Sequence, residues 1–147
     1  MELSPSDQQF LESTNSAAMI TVGPGGMPKV AKVGVTVVDG RIWVSGTEDR
    51  VRTRRLRQDP RCTLYVHDGG YGWLALETTV TILDGPDVVS QSVQLFRTMQ
   101  RKPDGPLSWF GGELDEEAFR ATMVAEGRII YEFAVQKAYG MHGPLPS

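Results

Sequence analysis

The tightest constraint on this chain is a series of short β-branched segments set between turns too tight for crossover helices. Residues 28 to 38 carry Val30, Val33, Val35 and Val37, a supply of β-branched side chains that suits a pleated strand. Asp39-Gly40 follows directly, a two-residue hairpin signal, and Ile42-Trp43-Val44-Ser45 reads as the returning strand. Upstream, 17 to 22 reads as a strand stopped at Gly23-Pro24-Gly25-Gly26. That cluster is a hairpin turn rather than a phosphate loop, since no Gly-Lys-Ser/Thr follows and no helix opens after it. Downstream, 62 to 67 and 73 to 83 supply two more strands, joined through Asp68-Gly69-Gly70-Tyr71-Gly72, and 128 to 135 returns as the last. Strands joined this way predict an antiparallel barrel, not a doubly wound sheet.

Helices flank this pattern. Ser4 caps a short one with Pro5 in its first turn, and Asn15 ends it. Val88, Val89, Val93, Leu95, Phe96 and Met99 predict a second over 87–101, and Ala118, Phe119, Thr122 and Met123 a third over 114–126, ended by Gly127. Between them, 107 to 112 reads as a loop bearing Trp109 and Phe110, either a mobile cover for a binding site or a loop pinned on the core by Trp109. The tail over 139–147 is rich in Gly and Pro and should be extended. With 147 residues the chain is expected to form one domain over 1–147. A single cysteine, Cys62, excludes an internal disulfide and is expected to be a buried, inert thiol. No apolar run is long enough to span a membrane and no signal-peptide pattern opens the chain, so a cytoplasmic protein is expected. His67 and His142 have no second ligand at metal spacing, no Gly-x-Ser-x-Gly elbow occurs, and the acidic cluster at 113–117 reads as a dipole-favoured helix start.

Against a formal net charge of -3, six arginines fall between Arg50 and Arg61. The stretch reads as a short helix, with Thr47 as cap, Glu48 and Asp49 in the first turn, and Pro60 closing it. At about 100° per residue from Arg50, the apolar Val51 and Leu56 bracket an inward arc that contains Arg52 and Arg55, while Arg54 and Arg57 share the outward stripe with Arg50. Inward arginines require an anion, unless they reach the rim and pair with carboxylates. A nucleic-acid role is disfavoured by the acidic balance and the lack of a second basic element.

Three segments together, residues 18–30, 39–45 and 50–61, are similar to the flavin/deazaflavin split-barrel family, the superfamily of pyridoxamine 5'-phosphate oxidase, and most resemble its actinobacterial coenzyme F420-dependent reductases. The resemblance spans residues 17 to 140, with 39–61 its most specific part. It implies a mainly β fold with flanking helices, a six-stranded antiparallel split β-barrel, and a homodimer with two cofactor sites at the subunit interface. It further implies that Ser45, Gly46, Thr47 and Glu48 lie beside the cofactor, that Arg50, Arg52 and Arg55 face its phosphate or ring, and that Pro28 and Lys32 lie along the ring. Arg52 departs from the lysine usual there. Tyr71 or Trp73 is expected to close the site from the partner chain. True pyridoxamine phosphate oxidases bind substrate phosphate through arginines near the carboxyl terminus, and residues 136–147 contain none. The resemblance therefore implies an oxidoreductase passing hydride from reduced F420 to a planar conjugated acceptor such as an enone, quinone or tetrapyrrole. The alternatives are an FMN-dependent relative, or a protein that binds F420 or haem without turnover. No protein group stands out to donate the second proton, and water can serve.

Overall fold

The valine-rich segment at 28–38 is two strands, not one, and the break organises the molecule. A computed structural model describes residues 1–143. In chain order it contains α1 (Pro5–Thr14), β1 (Ser16–Val22), β2 (Pro28–Gly34), β3 (Thr36–Val38), β4 (Arg41–Thr47), α2 (Val51–Gln58), β5 (Arg61–His67), β6 (Trp73–Leu83), α3 (Val88–Gln100), β7 (Leu107–Trp109), β8 (Gly112–Leu114), α4 (Glu116–Ala125) and β9 (Arg128–Met141). The main sheet is antiparallel, in the order β2-β1-β5-β6-β9-β4-β3. β2 and β3 therefore occupy opposite edges, yet Val35 alone separates them. Only a sheet rolled far enough to bring its edges together allows this, so the barrel is closed by the chain rather than by a ladder between its edges. Gly34, the last residue of β2, lies under α3, where a Cβ would sit 3.3 Å from the Met99 methyl. The split explains why the sheet has seven strands instead of the expected six.

Other boundaries shift for local reasons. Residues 107–112 are not a loop but the β7–β8 hairpin, whose turn places Phe110 and Gly111 at φ 46° and 82°, the positive pair of a type I′ connection. Asp39-Gly40 forms the same kind of turn, at φ 50° and 77°. Leu114 belongs to β8, so α4 begins at Glu116 with Asp115 accepting from the Ala118 N–H at 2.8 Å. β9 runs on to Met141, past its expected end at 135 and into the first residues of the expected tail; residues 144–147 lie outside the described residues.

Two apolar clusters form. Leu11, Met19, Val33, Val44, Leu64, Leu76, Tyr131 and Phe133 fill the barrel. Trp43, Leu95, Phe96, Phe119, Met123 and Ile130 pack α3 and α4 against the outer face of β4 and β9. α1 packs at one end of the barrel through Leu11, and α2 crosses the other through Leu56.

α2 differs from the expected helix at its start. Thr47 is still strand, opposite Arg128, and the Glu48 N–H donates to the Gly127 carbonyl at 2.9 Å, so neither can be helical. Arg50 occupies the cap position without a side-chain cap, and Thr47 Oγ1 donates instead to Asp49 at 2.7 Å. What fastens the helix is Thr53, fully buried, whose hydroxyl donates to the Thr47 carbonyl at 2.8 Å and meets the Tyr131 hydroxyl. Tyr131 in turn fits only because position 46 is glycine: a Cβ there would lie 2.6 Å from the phenol.

Two outcomes test this. Gly46→Ala should cost about 1–3 kcal/mol, the range for overpacking a filled core, and the loss should shrink in a Tyr131→Leu background, since the pair shares one clash; urea unfolding of the four variants measures both. At the far end of α2, Arg61 holds Asp59 down to about 2, through its side chain first and its backbone N–H second. A depressed carboxylate adds stability above its ordinary value and loses it as pH falls through the folded value. Arg61→Ala should therefore lower the thermal midpoint at pH 6, with the gap to the parent closing as pH approaches 2.

Candidate functional site

A cleft of about 840 Å³ opens at the barrel mouth crossed by α2, a volume within the usual range for a small-molecule or cofactor site. Its floor is the inner face of the first hairpin, Met19 and Thr21 from β1 with Lys29 and Ala31 from β2, because alternate residues of a strand share a face. One wall is α2 and the turn before it, with Thr47, Asp49, Arg50, Val51, Arg52 and Arg55. The other is the corner between α4 and β9, with Ala125, Glu126 and Arg128.

The cations of the first wall gather at one cleft without counter-ions. Several arginines elsewhere are matched: Arg57 with Glu48 and Asp84 at 2.8 and 3.0 Å, Arg61 with Asp59 at 2.8 Å, Arg97 with Glu116 at 3.1 Å. Arg50, Arg52 and Arg55 have no carboxylate within 4.0 Å among the described residues, and the Arg52 Nε is buried with no hydrogen-bond partner. A buried guanidinium nitrogen without an acceptor is costly, and an oxygen-rich anion in the cleft would satisfy it. Asp49 is the acidic group on this wall; the Thr47 hydroxyl, with lesser help from Arg50 and Arg54, holds its pKa below the ordinary value, so it stays ionised.

Of the residues singled out from sequence, the cleft gathers Thr47, Arg50, Arg52 and Arg55. The wheel had Val51 facing the core, but it is 52% exposed on the cleft, and Thr53 takes the buried position because its hydroxyl has partners there. Pro28 and Lys32 lie outside the cleft, on the outward face of β2, where Lys29 and Ala31 point inward. Ser45 also faces away from the barrel interior, Gly46 packs against Tyr131, and Glu48 is taken by Arg57. Tyr71 and Trp73 lie at the opposite end of the barrel, Tyr71 exposed and Trp73 edge-on to Tyr139 at 6.2 Å. Within one chain they do not approach the cleft.

Sequence reasoning missed Lys29, Glu126 and Arg128. Nothing near Arg128 marks it; only the register of β9, which sets it opposite Thr47, brings it here. Its guanidinium is 5.0 Å from the Trp109 ring centroid and 2.7 Å from Glu126, which also accepts from the Trp109 indole at 3.2 Å. Trp109 is held edge-on by Phe96 and Phe119 at 5.1 and 5.5 Å, so this hairpin is pinned rather than free. Cys62 is buried and its thiol is pushed up to about 12 by that burial, the behaviour of an inert packing residue. Among the described residues no group of three potential metal ligands occurs, and no helix is long and apolar enough to cross a membrane.

Comparison with solved structures places this architecture among known ones. A conserved hypothetical protein of Mycobacterium tuberculosis superposes with a TM-score of 0.73 at 18% identity, over 99% of this chain and 93% of that one. An F420 reductase gives 0.64 at 20% identity, over 90% and 94%. A FAD-binding protein of Mesorhizobium loti gives 0.62 at 16%, over 94% of both chains. At these identities the likeness is one of fold. The family model of pyridoxamine 5'-phosphate oxidase matches residues 3–137, and the chain therefore belongs to that family of flavin-type cofactor-binding oxidoreductases.

Proposed function

We propose that this protein is an F420-dependent reductase whose cleft takes the phosphate-bearing deazaflavin cofactor, with a planar conjugated molecule as hydride acceptor. The observation that carries the proposal is the set of arginines left without carboxylates at the cleft, above all the orphaned Arg52 Nε. Three cations without counter-ions, in a chain of net charge -3, suit a ligand with more negative charge than one phosphate. F420 extends past its phosphate into glutamates, whereas FMN ends there. The fold shared with an F420 reductase supports the same choice. Arg52 and Arg55 would hold the phosphate, Arg50 and Lys29 would add charge around it, and the inner hairpin face would bound the ring. When bound, the reduced cofactor supplies the hydride, and the protein's part is orientation, electrostatics and exclusion of water.

The working unit in this proposal is a homodimer. α3 and α4 cover only the β4–β9 side of the barrel. On β2, β1, β5 and β6 the outward side chains include Val22, Val30, Tyr65 and Trp73, with Tyr139 and Met141 beside them on β9, and among the described residues no helix packs over them. Pro28 and Lys32 share this face, so a cofactor shared between two chains would meet them, and the partner's copies of Tyr71 or Trp73 would supply the missing wall. Of the other aromatics, Trp43 and Trp109 are already used inside the protomer.

Two measurements check these readings. Fluorescence titration should show F420 binding more tightly than FMN, with affinity falling as salt is added. Arg52→Ala or Arg55→Ala should cost about 1.5–3 kcal/mol, roughly ten- to a hundredfold, and Arg57→Ala far less, because its charge is already matched. Tighter binding of FMN would replace F420 with the flavin. Separately, sedimentation at micromolar concentration should give a dimer, and Val30→Glu should shift it toward monomer; a monomeric parent would end the shared-site proposal.

A further inference from the structure

The two walls of the cleft differ in electrostatic character, and the difference bears on the acceptor. The α2 wall carries unmatched positive charge. On the opposite wall Arg128 is already neutralised by Glu126, which accepts from its Nε at 2.9 Å and its Nη2 at 2.7 Å. The guanidinium lies against Trp109, its side chain is 11% exposed, and its Nη1 has no acceptor among the described residues. Trp109 also donates to Glu126, so aromatic ring, carboxylate and guanidinium fix one another. An ion pair of zero net charge with one donor nitrogen left over is poorly suited to a second phosphate. It is suited to a neutral oxygen that becomes negative during reaction, since a donor fixed in advance needs no reorganisation at that moment.

We infer that Arg128 is the acceptor-binding residue of this cleft, donating through Nη1 to the carbonyl oxygen of an α,β-unsaturated ketone or quinone, with Trp109 and Glu126 as its positioning residues. The inference rests on the proposed reductase function and narrows its acceptor class to carbonyl compounds. For an enone, hydride from the reduced cofactor forms a C–H bond at the β-carbon. The C=C π bond breaks, and its electron pair shifts so that the carbonyl oxygen carries the charge of an enolate beside Arg128. Water then protonates the α-carbon, and the hydroxide formed takes a proton from solvent. The acceptor is reduced by two electrons and gains two hydrogens.

The test compares cyclohex-2-enone with a tetrazolium dye, which takes a hydride and has no carbonyl. In Arg128→Gln the ratio of enone to tetrazolium kcat/KM should fall about a hundredfold, as for loss of one oxyanion donor, while the F420 dissociation constant moves less than in Arg52→Ala. Arg128→Lys, which keeps the charge but loses the planar fork, should retain part of the ratio and serves if the glutamine variant fails to fold. Infrared difference spectra of isotope-labelled cyclohexenone with the protein should show a lowered carbonyl stretch that Arg128→Gln abolishes, whether or not turnover occurs. An unchanged ratio, an unshifted carbonyl band, or a loss of F420 affinity matching that of Arg52→Ala would overturn the assignment. Failure of the unmodified protein to bind F420 would instead overturn the cofactor proposal. The carbonyl band would still decide the role of Arg128.

Discussion

The molecule depends on one constraint of chain connectivity: β2 and β3 are separated by Val35, yet lie at opposite edges of a seven-stranded sheet. A flat or gently twisted sheet cannot satisfy it. The sheet must roll until its edges are one residue apart, and rolling creates an interior, two ends and two kinds of outer face. Val35 is 1% exposed, and its N–H donates to the Asn15 carbonyl at 3.1 Å, so the link is tied to the carboxyl end of α1 as well. The long partnership of β6 with β9 carries the roll past a bulge between Glu77 and Thr78, where local twist increases.

The cleft follows from that closure. β4 ends at the barrel mouth, and the chain must turn back across it to reach β5, which places α2 over the opening. Thr53 and Tyr131 then hold the helix by buried hydroxyls, and Gly46 leaves room for the phenol. With Thr53 and Leu56 turned inward, Arg52 and Arg55 fall on the flank of the helix beside the cleft rather than beneath it. Glu48 and Asp84 are near enough to neutralise Arg57 but not these two, so positive charge accumulates on one side of a helix in an acidic protein. The same mouth receives the start of β9, which brings a second arginine environment, of opposite electrostatic design, to the facing wall.

The outer faces divide by the same logic. α3 and α4 cover β4 and β9 through Trp43, Phe96, Phe119 and Ile130. β7 and β8 extend that layer and put Trp109 behind Arg128, so a hairpin distant in sequence from the arginine helix still shapes its cleft. The four strands on the other side keep apolar residues on a face that no helix covers among the described residues, with Val30 67% exposed. Surface of that kind is the usual mark of an interaction site.

Much of this was legible in the sequence because it depends on neighbours in the chain. The Asp39-Gly40 turn, the Ser4 cap and Asn15 stop of α1, the span of β6 and the mainly β, antiparallel character rest on local backbone preference and alternation. The accumulation of arginines at 50–61, and the separation of Arg52 and Arg55 from the outward stripe, could be read from helical spacing, but not whether carboxylates would match them. What lay beyond it depended on contacts between distant segments. The valines of 28–38 are spread along the whole segment with no turn signal between them, so nothing local reveals that they serve two edges of one sheet. Thr47 reads as a helix cap until its pairing with Arg128 keeps it in a strand, and Val51 reads as core until Thr53 finds Tyr131. Arg128 has no distinguishing neighbour at all. Local propensity decided which residues became strands and where charge collected; the rolled sheet decided which of those charges face one another, because register and closure are properties of the whole chain.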